Sequence, residues 1–252
     1  RRRDPDGGCP WDVEQTFATI APYTVEEAYE VADALENGDS QQIKEELGDL
    51  LFQVVFHAQI SSEKNGFNFG DIADVVAKKM IERHPHVFNN NGDVANDGLS
   101  VQWEELKEKE REKSAKGKGE EISALDGVAL AFPSLMRAQK IQQRAAKQGF
   151  DWTHLAPVIE KVHEELKELE IEIEAKTQST RIAEELGDLL FASVNLARHL
   201  KIDAETALER ATKKFERRFR YIEDNLRVRG KKFKDVDLEE MEELWLSAKS
   251  TE

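Results

Sequence analysis

Acidic residues in regularly spaced pairs are the part of this sequence best suited to chemistry. Glu27 and Glu30 lie three residues apart, as do Glu46 and Asp49. Residues at this spacing point to the same side of a helix, so two such helices packed together bring four carboxylates into a small volume. Four like charges repel one another unless cations neutralise them, which favours a divalent-metal site. Ligands that are all oxygen atoms suit Mg²⁺ or Mn²⁺ rather than Zn²⁺.

The same acidic pattern occurs a second time. The string EELGDLLF at residues 45–52 is repeated without change at 184–191, and an acidic pair precedes it in both places. This identity in register indicates an internal duplication. It strengthens the metal-site interpretation, because isolated glutamates on amphipathic helices are mostly solvated surface residues. The candidate metal ligands are Glu165, Glu168, Glu185 and Asp188 in the second copy and Glu27, Glu30, Glu46 and Asp49 in the first.

Basic and aromatic residues extend the repeat in the same order. Residues 115–121, AKGKGEE, separate the two copies with a polar, glycine-containing stretch typical of a linker. We therefore expect an N-terminal domain at 1–118 and a C-terminal domain at 119–252. The matched residues are Lys79 with Lys214, Arg83 with Arg218, Trp103 with Trp245 and Lys107 with Lys249.

Turn and capping signals divide each half into about four helices, which is typical of a small bundle. Thr24 predicts the start of the first helix, and residues 37–40, NGDS, separate it from the second. A third helix is expected at about 71–83. The second half begins with a short helix after Pro133 and continues with four more. The pattern predicts an all-α fold of two tandem helical bundles.

Apolar spacing in the second copy predicts where its acidic residues lie. Glu165, Glu168 and Glu172 fall beside an apolar stripe when each residue turns the helix by roughly 100°. The carboxylates are therefore expected at the edge of a helix interface, where partial burial is possible. The stripe, spaced by four, four, three and four, consists of Val158, Val162, Leu166, Leu169 and Ile173.

Overall charge and cysteine content restrict the classes of function. With 36 basic and 51 acidic residues, the net charge of −15 disfavours stable binding to a nucleic acid backbone. An anionic substrate can still bind if the acidic groups first collect divalent cations. Cys9 is the single cysteine, so no intrachain disulfide forms. No apolar run approaches the roughly 20 residues that span a bilayer. We expect a cytoplasmic protein without a membrane segment.

Basic residues concentrate in the helix predicted at about 203–230. Lys214 and Arg218 lie one turn apart there and can hold phosphates, although salt bridges to neighbouring glutamates are an equal alternative. Trp245 can stack on a base or belong to the core. A ferritin-like di-iron bundle is disfavoured, because no histidine follows these glutamates at the Glu-x-x-His spacing.

Short motifs combine with the acidic pairs into a resemblance to the bacterial MazG family. They are CPWD at 9–12, RHPHVF at 83–88 and GFDW at 149–152, and the resemblance covers nearly the whole chain. The acidic pairs alone also occur across the wider all-α pyrophosphohydrolase group that includes dimeric dUTPases. The resemblance implies a homodimer that hydrolyses nucleoside triphosphates, ATP among them, to the monophosphate and pyrophosphate. Mg²⁺ would sit on the phosphates and water would attack the α-phosphorus.

The resemblance also implies roles for single residues. Glu165, Glu168, Glu185 and Asp188 would bind metal, and Glu168 would help to activate water. It credits the C-terminal copy with hydrolysis and gives the N-terminal copy a regulatory or structural role. Gln42 stands in the first copy where the second has Arg181, although the first copy keeps its four carboxylates. Nucleotide contacts would come from Arg181, Glu184, Lys214, Arg218, Trp245 and Lys249.

Two other functions remain open at the level of sequence. One is a noncatalytic helical module that binds nucleotide or a protein partner and uses divalent metal for stability. The other is a phosphohydrolase restricted to dUTP or to an alarmone, which needs the same metal site with a different base pocket. The acidic repeat does not indicate which nucleobase the substrate carries.

Overall fold

The computed structural model describes residues 2–88 and 123–251, which contain helices and no strand. The chain separates into two compact units. The predicted boundary between 118 and 119 lies outside the described residues, as do Trp103 and Lys107, so these assignments stay predictions. The all-α fold is confirmed. Among the described residues, no helix combines the length and the hydropathy of a membrane-spanning segment.

The first unit is built around the hairpin of its two long helices. Gly38 has a φ of +76° and closes the first of them, while the Asp39 side chain caps the next by accepting from the Gln41 N–H at 2.9 Å. A core of Ile20, Phe56 and Ile60 joins the two. The helices are α1 (Pro10–Glu14), α2 (Phe17–Asn37), α3 (Ser40–Ser62), α4 (Phe69–Arg83) and α5 (Pro85–Phe88).

The predicted start of the first long helix at Thr24 is wrong. Helix α2 begins at Phe17, because Thr16 and Thr19 form a capping box upstream. The helix then continues through Pro22, which lacks a backbone N–H to donate within it. Thr24 lies inside the helix instead, and its hydroxyl is 2.9 Å from His57 Nε2 on α3.

The second unit contains two helix pairs. Helices α7 (Leu155–Glu174) and α8 (Ser179–His199) pack along each other, and α6 (Ser134–Lys147) packs on α8. Helix α9 (Ala204–Val228) packs on α10 (Leu238–Ser250). Ile222, Leu226 and Leu244 form the core of the α9–α10 pair. Asp203 and Asp237 cap the starts of α9 and α10. A short 3₁₀ helix at Phe233–Asp235 lies between α9 and α10.

The apolar stripe predicted on α7 is only partly buried. Val158 and Leu169 are buried, but 43% of Leu166 and 52% of Ile173 is exposed. The stripe is wider than the surface that α8 covers, so part of it faces outward within one chain.

Candidate active site

Helices α7 and α8 bring three of the predicted metal ligands together. Glu165 comes from α7, and Glu185 and Asp188 come from α8. One carboxylate oxygen of each lies within 4.8 Å of the others. Glu165 and Glu185 are buried, with 6% and 9% exposed, whereas Asp188 is exposed. Two buried carboxylates beside a third form an all-oxygen donor set of the kind that Mg²⁺ or Mn²⁺ prefers.

Each buried carboxylate of this group has a cation one helical turn upstream. Lys161 Nζ lies 2.8 Å from a Glu165 oxygen, and Arg181 Nη2 lies 3.1 Å from a Glu185 oxygen. Hydrogen bonds to Glu165 and Glu164 raise the pKa of Lys161. The two cations offset the repulsion between the buried carboxylates. Lys161 was missed by sequence reasoning, although its position four residues before Glu165 predicts such a pair.

Glu168 lies at the edge of the group rather than within it. It is exposed, one turn after Glu165 on α7, and does not belong to the set of oxygens within 4.8 Å among the described residues. Desolvation raises the pKa of Glu168, as do the negative charges of Glu165 and Glu185. A carboxylate that is more basic than usual and open to water is suited to orienting a water molecule.

The first unit has the corresponding group of carboxylates, with uncharged residues at the two positions that hold the cations in the second unit. Oxygens of Glu27, Glu46 and Asp49 lie within 4.8 Å of one another. Tyr23 and Gln42 occupy the positions that correspond to Lys161 and Arg181. Desolvation raises the pKa of Glu27, and so do the charges of Asp49 and Glu30, against a hydrogen bond from Gln53 Nε2 at 3.3 Å. The two copies therefore share the carboxylates and differ in the positive charge beside them.

Replacing Glu27 by glutamine is expected to stabilise the metal-free protein at pH 7. The pKa of Glu27 is raised above its ordinary 4.5, so the folded chain binds a proton here more readily than the unfolded chain. The charged form thus lowers the free energy of unfolding above the raised pKa, and this cost disappears as the pH falls towards 4.5. Thermal unfolding should show a midpoint raised by at least about 1 °C at pH 7.

The control for this measurement is Glu26→Gln, a change at the exposed neighbour. It should leave the midpoint of unfolding in place at both pH values. A midpoint that is lowered by Glu27→Gln at pH 7, or a gain that persists at pH 4.5, would contradict the interpretation.

Two of the other predicted nucleotide contacts, Arg218 on α9 and Trp245 on α10, lie against each other. The Arg218 guanidinium lies 5.3 Å from the centre of the Trp245 ring, and Phe215 packs on the same ring at 5.2 Å. Trp245 also packs against the apolar core of this helix pair. Lys214 and Lys249 are exposed. Arg181 contacts the carboxylate group instead, because its Nη2 lies 3.1 Å from a Glu185 oxygen. Glu184 lies beside the group through its own contact with Arg181 Nη1 at 3.2 Å.

Salt bridging explains part of the basic surface of α9. Lys213 and Arg220 each lie 3.3 Å from a glutamate one turn earlier on the same helix, Glu209 and Glu216 respectively. These exposed pairs contribute little to stability. The interpretation of the basic residues as salt-bridge partners of glutamates therefore holds for Lys213 and Arg220.

A cavity of about 570 Å³ opens beside the carboxylates. It lies among α6, α7, α8 and the segment 149–152, and its walls include both Glu165 and Asp188. The walls are mainly apolar and aromatic, with a few polar groups, as is usual in binding sites for small molecules. Sequence reasoning identified the segment only as a motif, because its place beside the carboxylates depends on tertiary packing. The aromatic side chains are Phe150, Trp152 and Phe191.

A family of known proteins matches both halves of the chain. The family model of the MazG nucleotide pyrophosphohydrolase domain matches the chain twice, at residues 15–88 and 154–222. Each match contains one group of three carboxylates. The predicted duplication is confirmed by the two matches.

Relatives that match nearly the whole of this chain agree with the family model. The nucleoside triphosphate pyrophosphohydrolase of Escherichia coli strain K12 is 51% identical over 100% of this chain and 94% of its own length. The Thermotoga maritima nucleoside triphosphate pyrophosphohydrolase/pyrophosphatase MazG is 42% identical over 98% of this chain and 91% of its own. Bacillus subtilis YabN, an uncharacterized protein, is 41% identical over 99% of this chain but 50% of its own length. The chain therefore belongs to the MazG nucleotide pyrophosphohydrolase family.

Proposed function

We propose that this chain hydrolyses nucleoside triphosphates to the monophosphate and pyrophosphate, and that its C-terminal copy performs the reaction. The observation that carries the proposal is the cavity of about 570 Å³ whose wall contains Glu165 and Asp188. A nucleoside can occupy the apolar part of such a cavity while its phosphates lie at the carboxylates. The names of the full-length relatives support the same activity.

The donor set of the second copy fits Mg²⁺, with Mn²⁺ as a substitute. Glu165, Glu185 and Asp188 would hold the ion, with Glu168 as a further candidate at the edge of the group. When bound, the metal supplies positive charge that offsets the negative charge building up on the phosphates. Glu27, Glu30, Glu46 and Asp49 are proposed as the corresponding metal site of the first copy.

Fixed positive charge beside the carboxylates supports the assignment of hydrolysis to the second copy. Lys161 and Arg181 lie one turn from the buried carboxylates, at 2.8 Å and 3.1 Å. Cations that are already in position stabilise the negative charge that develops during phosphoryl transfer, because they need not move during the reaction. The first copy has Tyr23 and Gln42 at these positions. We therefore assign hydrolysis to the second copy and a structural or regulatory role to the first.

Glu168 is proposed to orient the attacking water. It is exposed next to the buried carboxylates, where its carboxylate can accept a proton from water at the α-phosphate. Direct attack by water needs no covalent intermediate. Arg181 and Glu184 lie beside this group, and we propose them as nucleotide contacts together with Lys214, Arg218, Trp245 and Lys249.

A homodimer is proposed from the apolar surface of the second unit. About half of Leu186 and Leu190 on α8 is exposed, together with Leu166 on α7 and Phe215 on α9. Apolar side chains exposed along several helices of one unit are typical of a surface that another protein covers. Light scattering on the purified chain tests this directly, since the monomer has a mass of 28.7 kDa.

The position of bond cleavage tests the proposed reaction. Hydrolysis in water enriched in ¹⁸O is expected to place the label in the nucleoside monophosphate, because water attacks the α-phosphorus and pyrophosphate departs. Mass spectrometry of the two products measures the distribution. Label in pyrophosphate, or products consisting of the diphosphate and phosphate, would contradict the proposal.

A further inference from the structure

The segment 149–152 is tied to the end of α8 by one carboxylate. Arg198 donates two hydrogen bonds to Asp151, from Nη1 to Oδ2 at 2.9 Å and from Nη2 to Oδ1 at 2.5 Å. His199 Nε2 lies 3.0 Å from the same Oδ1. Only 12% of the Arg198 side chain and 26% of the Asp151 side chain is exposed. A bidentate, largely covered pair fixes geometry more firmly than an ordinary surface salt bridge.

The same carboxylate shapes the segment locally. The Trp152 N–H donates to Asp151 Oδ1 at 2.9 Å, and Gly149 has a φ of +84°, a conformation that glycine adopts readily. Phe150 and Trp152 therefore flank Asp151, whose two carboxylate oxygens both accept hydrogen bonds. Both aromatic side chains line the cavity beside the carboxylates.

Arg198 also orients a polar group in the cavity wall. Its Nε donates to Asn195 Oδ1 at 2.9 Å, and both Asn195 and Arg198 line the cavity. With its oxygen engaged, the Asn195 amide has its NH₂ group as the available donor. One arginine thus connects the aromatic segment to a hydrogen-bonding group on α8.

We propose that Asp151 and Arg198 form a positioning pair that fixes the aromatic and amide walls of this cavity around the base and sugar of the nucleotide. The pair acts through Phe150, Trp152 and Asn195 and leaves the phosphates to the carboxylate group. It rests on the proposed function, because it assigns the cavity to the nucleoside part of the same substrate. Small displacements of a binding wall lower affinity strongly even when the reacting groups are unchanged.

The first unit offers a matched control. Arg3 donates to Glu63 from Nε at 3.0 Å and from Nη2 at 2.8 Å, which ties the chain before α1 to the residue after α3. Arg3 and Glu63 thus form a similar bidentate pair in the first unit. This is the copy that lacks counterparts of Lys161 and Arg181. Glu63→Gln removes the charge of such a pair without touching the proposed catalytic copy.

Steady-state kinetics of the full chain test the positioning role. Asp151→Asn is expected to raise KM for a nucleoside triphosphate about tenfold, with kcat within about threefold of the wild type. The inhibition constant of inorganic triphosphate, a competitor without base or sugar, should stay within about twofold. Arg198→Lys keeps the charge but loses the bidentate fork, so it should raise KM in the same direction. Glu63→Gln should change none of these values.

The alternative outcomes are distinct. An unchanged KM in both variants would overturn the inference, as would equal weakening of nucleotide and triphosphate, which indicates general damage to the site. If Asp151→Asn does not fold, Arg198→Lys decides the question by the same criteria. Absence of pyrophosphate release from the wild-type chain would instead contradict the proposed function, on which the inference depends.

Discussion

Glu165→Gln is expected to lower kcat/KM for nucleoside triphosphates at least about a thousandfold, a loss of about 4 kcal/mol in transition-state stabilisation. Glu165 is 6% exposed and shares its group with Glu185 and Asp188. Glutamine keeps the size of the side chain but removes the negative charge that a divalent cation requires. Pyrophosphate release at saturating Mg²⁺ measures the effect, and circular dichroism checks that the helices remain.

Glu27→Gln is the matched control, because Glu27 holds the same position in the first copy. We expect its kcat/KM within about threefold of the wild type. Equal losses in the two variants would contradict the assignment of hydrolysis to the second copy. Loss in Glu27→Gln alone would transfer the reaction to the first.

Glu168→Gln is expected to lower kcat at least about a hundredfold, within the range usual for the loss of a general base. The amide cannot take a proton from water. Because Glu168 lies outside the three-carboxylate group, the affinity for Mn²⁺ should fall less than in Glu165→Gln. Turnover assays and Mn²⁺ titration followed by electron paramagnetic resonance measure the two quantities separately.

Two other outcomes would revise the role of Glu168. A kcat equal to that of the wild type would remove it from the mechanism. A loss of Mn²⁺ affinity as large as that of Glu165→Gln would make it a metal ligand of the same rank as the buried carboxylates. Thermal unfolding of the variant gives the check on folding that both conclusions need.

The acidic repeat could be predicted from sequence because helical periodicity is a local property. The register of Glu165 on α7 and of Glu185 and Asp188 on α8 follows from spacing alone. The helix breaks near Gly38 and Pro133 were also readable, since glycine and proline act through their own backbone. The start of α2 was misplaced, because the capping box at Thr16 lies upstream of the one that Thr24 suggested.

The cavity and its surroundings could not be predicted in this way. Asp151 and Arg198 are 47 residues apart in sequence, and nothing local indicates that they form a pair. The burial of Glu165 beside Lys161 likewise depends on how closely α8 covers α7. The apolar stripe on α7 is a further example. Its spacing predicts an apolar face but does not predict which part of that face a neighbouring helix covers.

The most direct test of the account is the measurement of products from the intact chain with a panel of ribo- and deoxyribonucleoside triphosphates, in Mg²⁺ and in excess chelator. We expect equal amounts of monophosphate and pyrophosphate in Mg²⁺, none in chelator, and loss of turnover in the Glu165→Ala/Glu168→Ala double variant but not in Glu27→Ala/Glu30→Ala. Nucleotide binding without pyrophosphate release from any substrate would contradict the account and indicate a noncatalytic binding module.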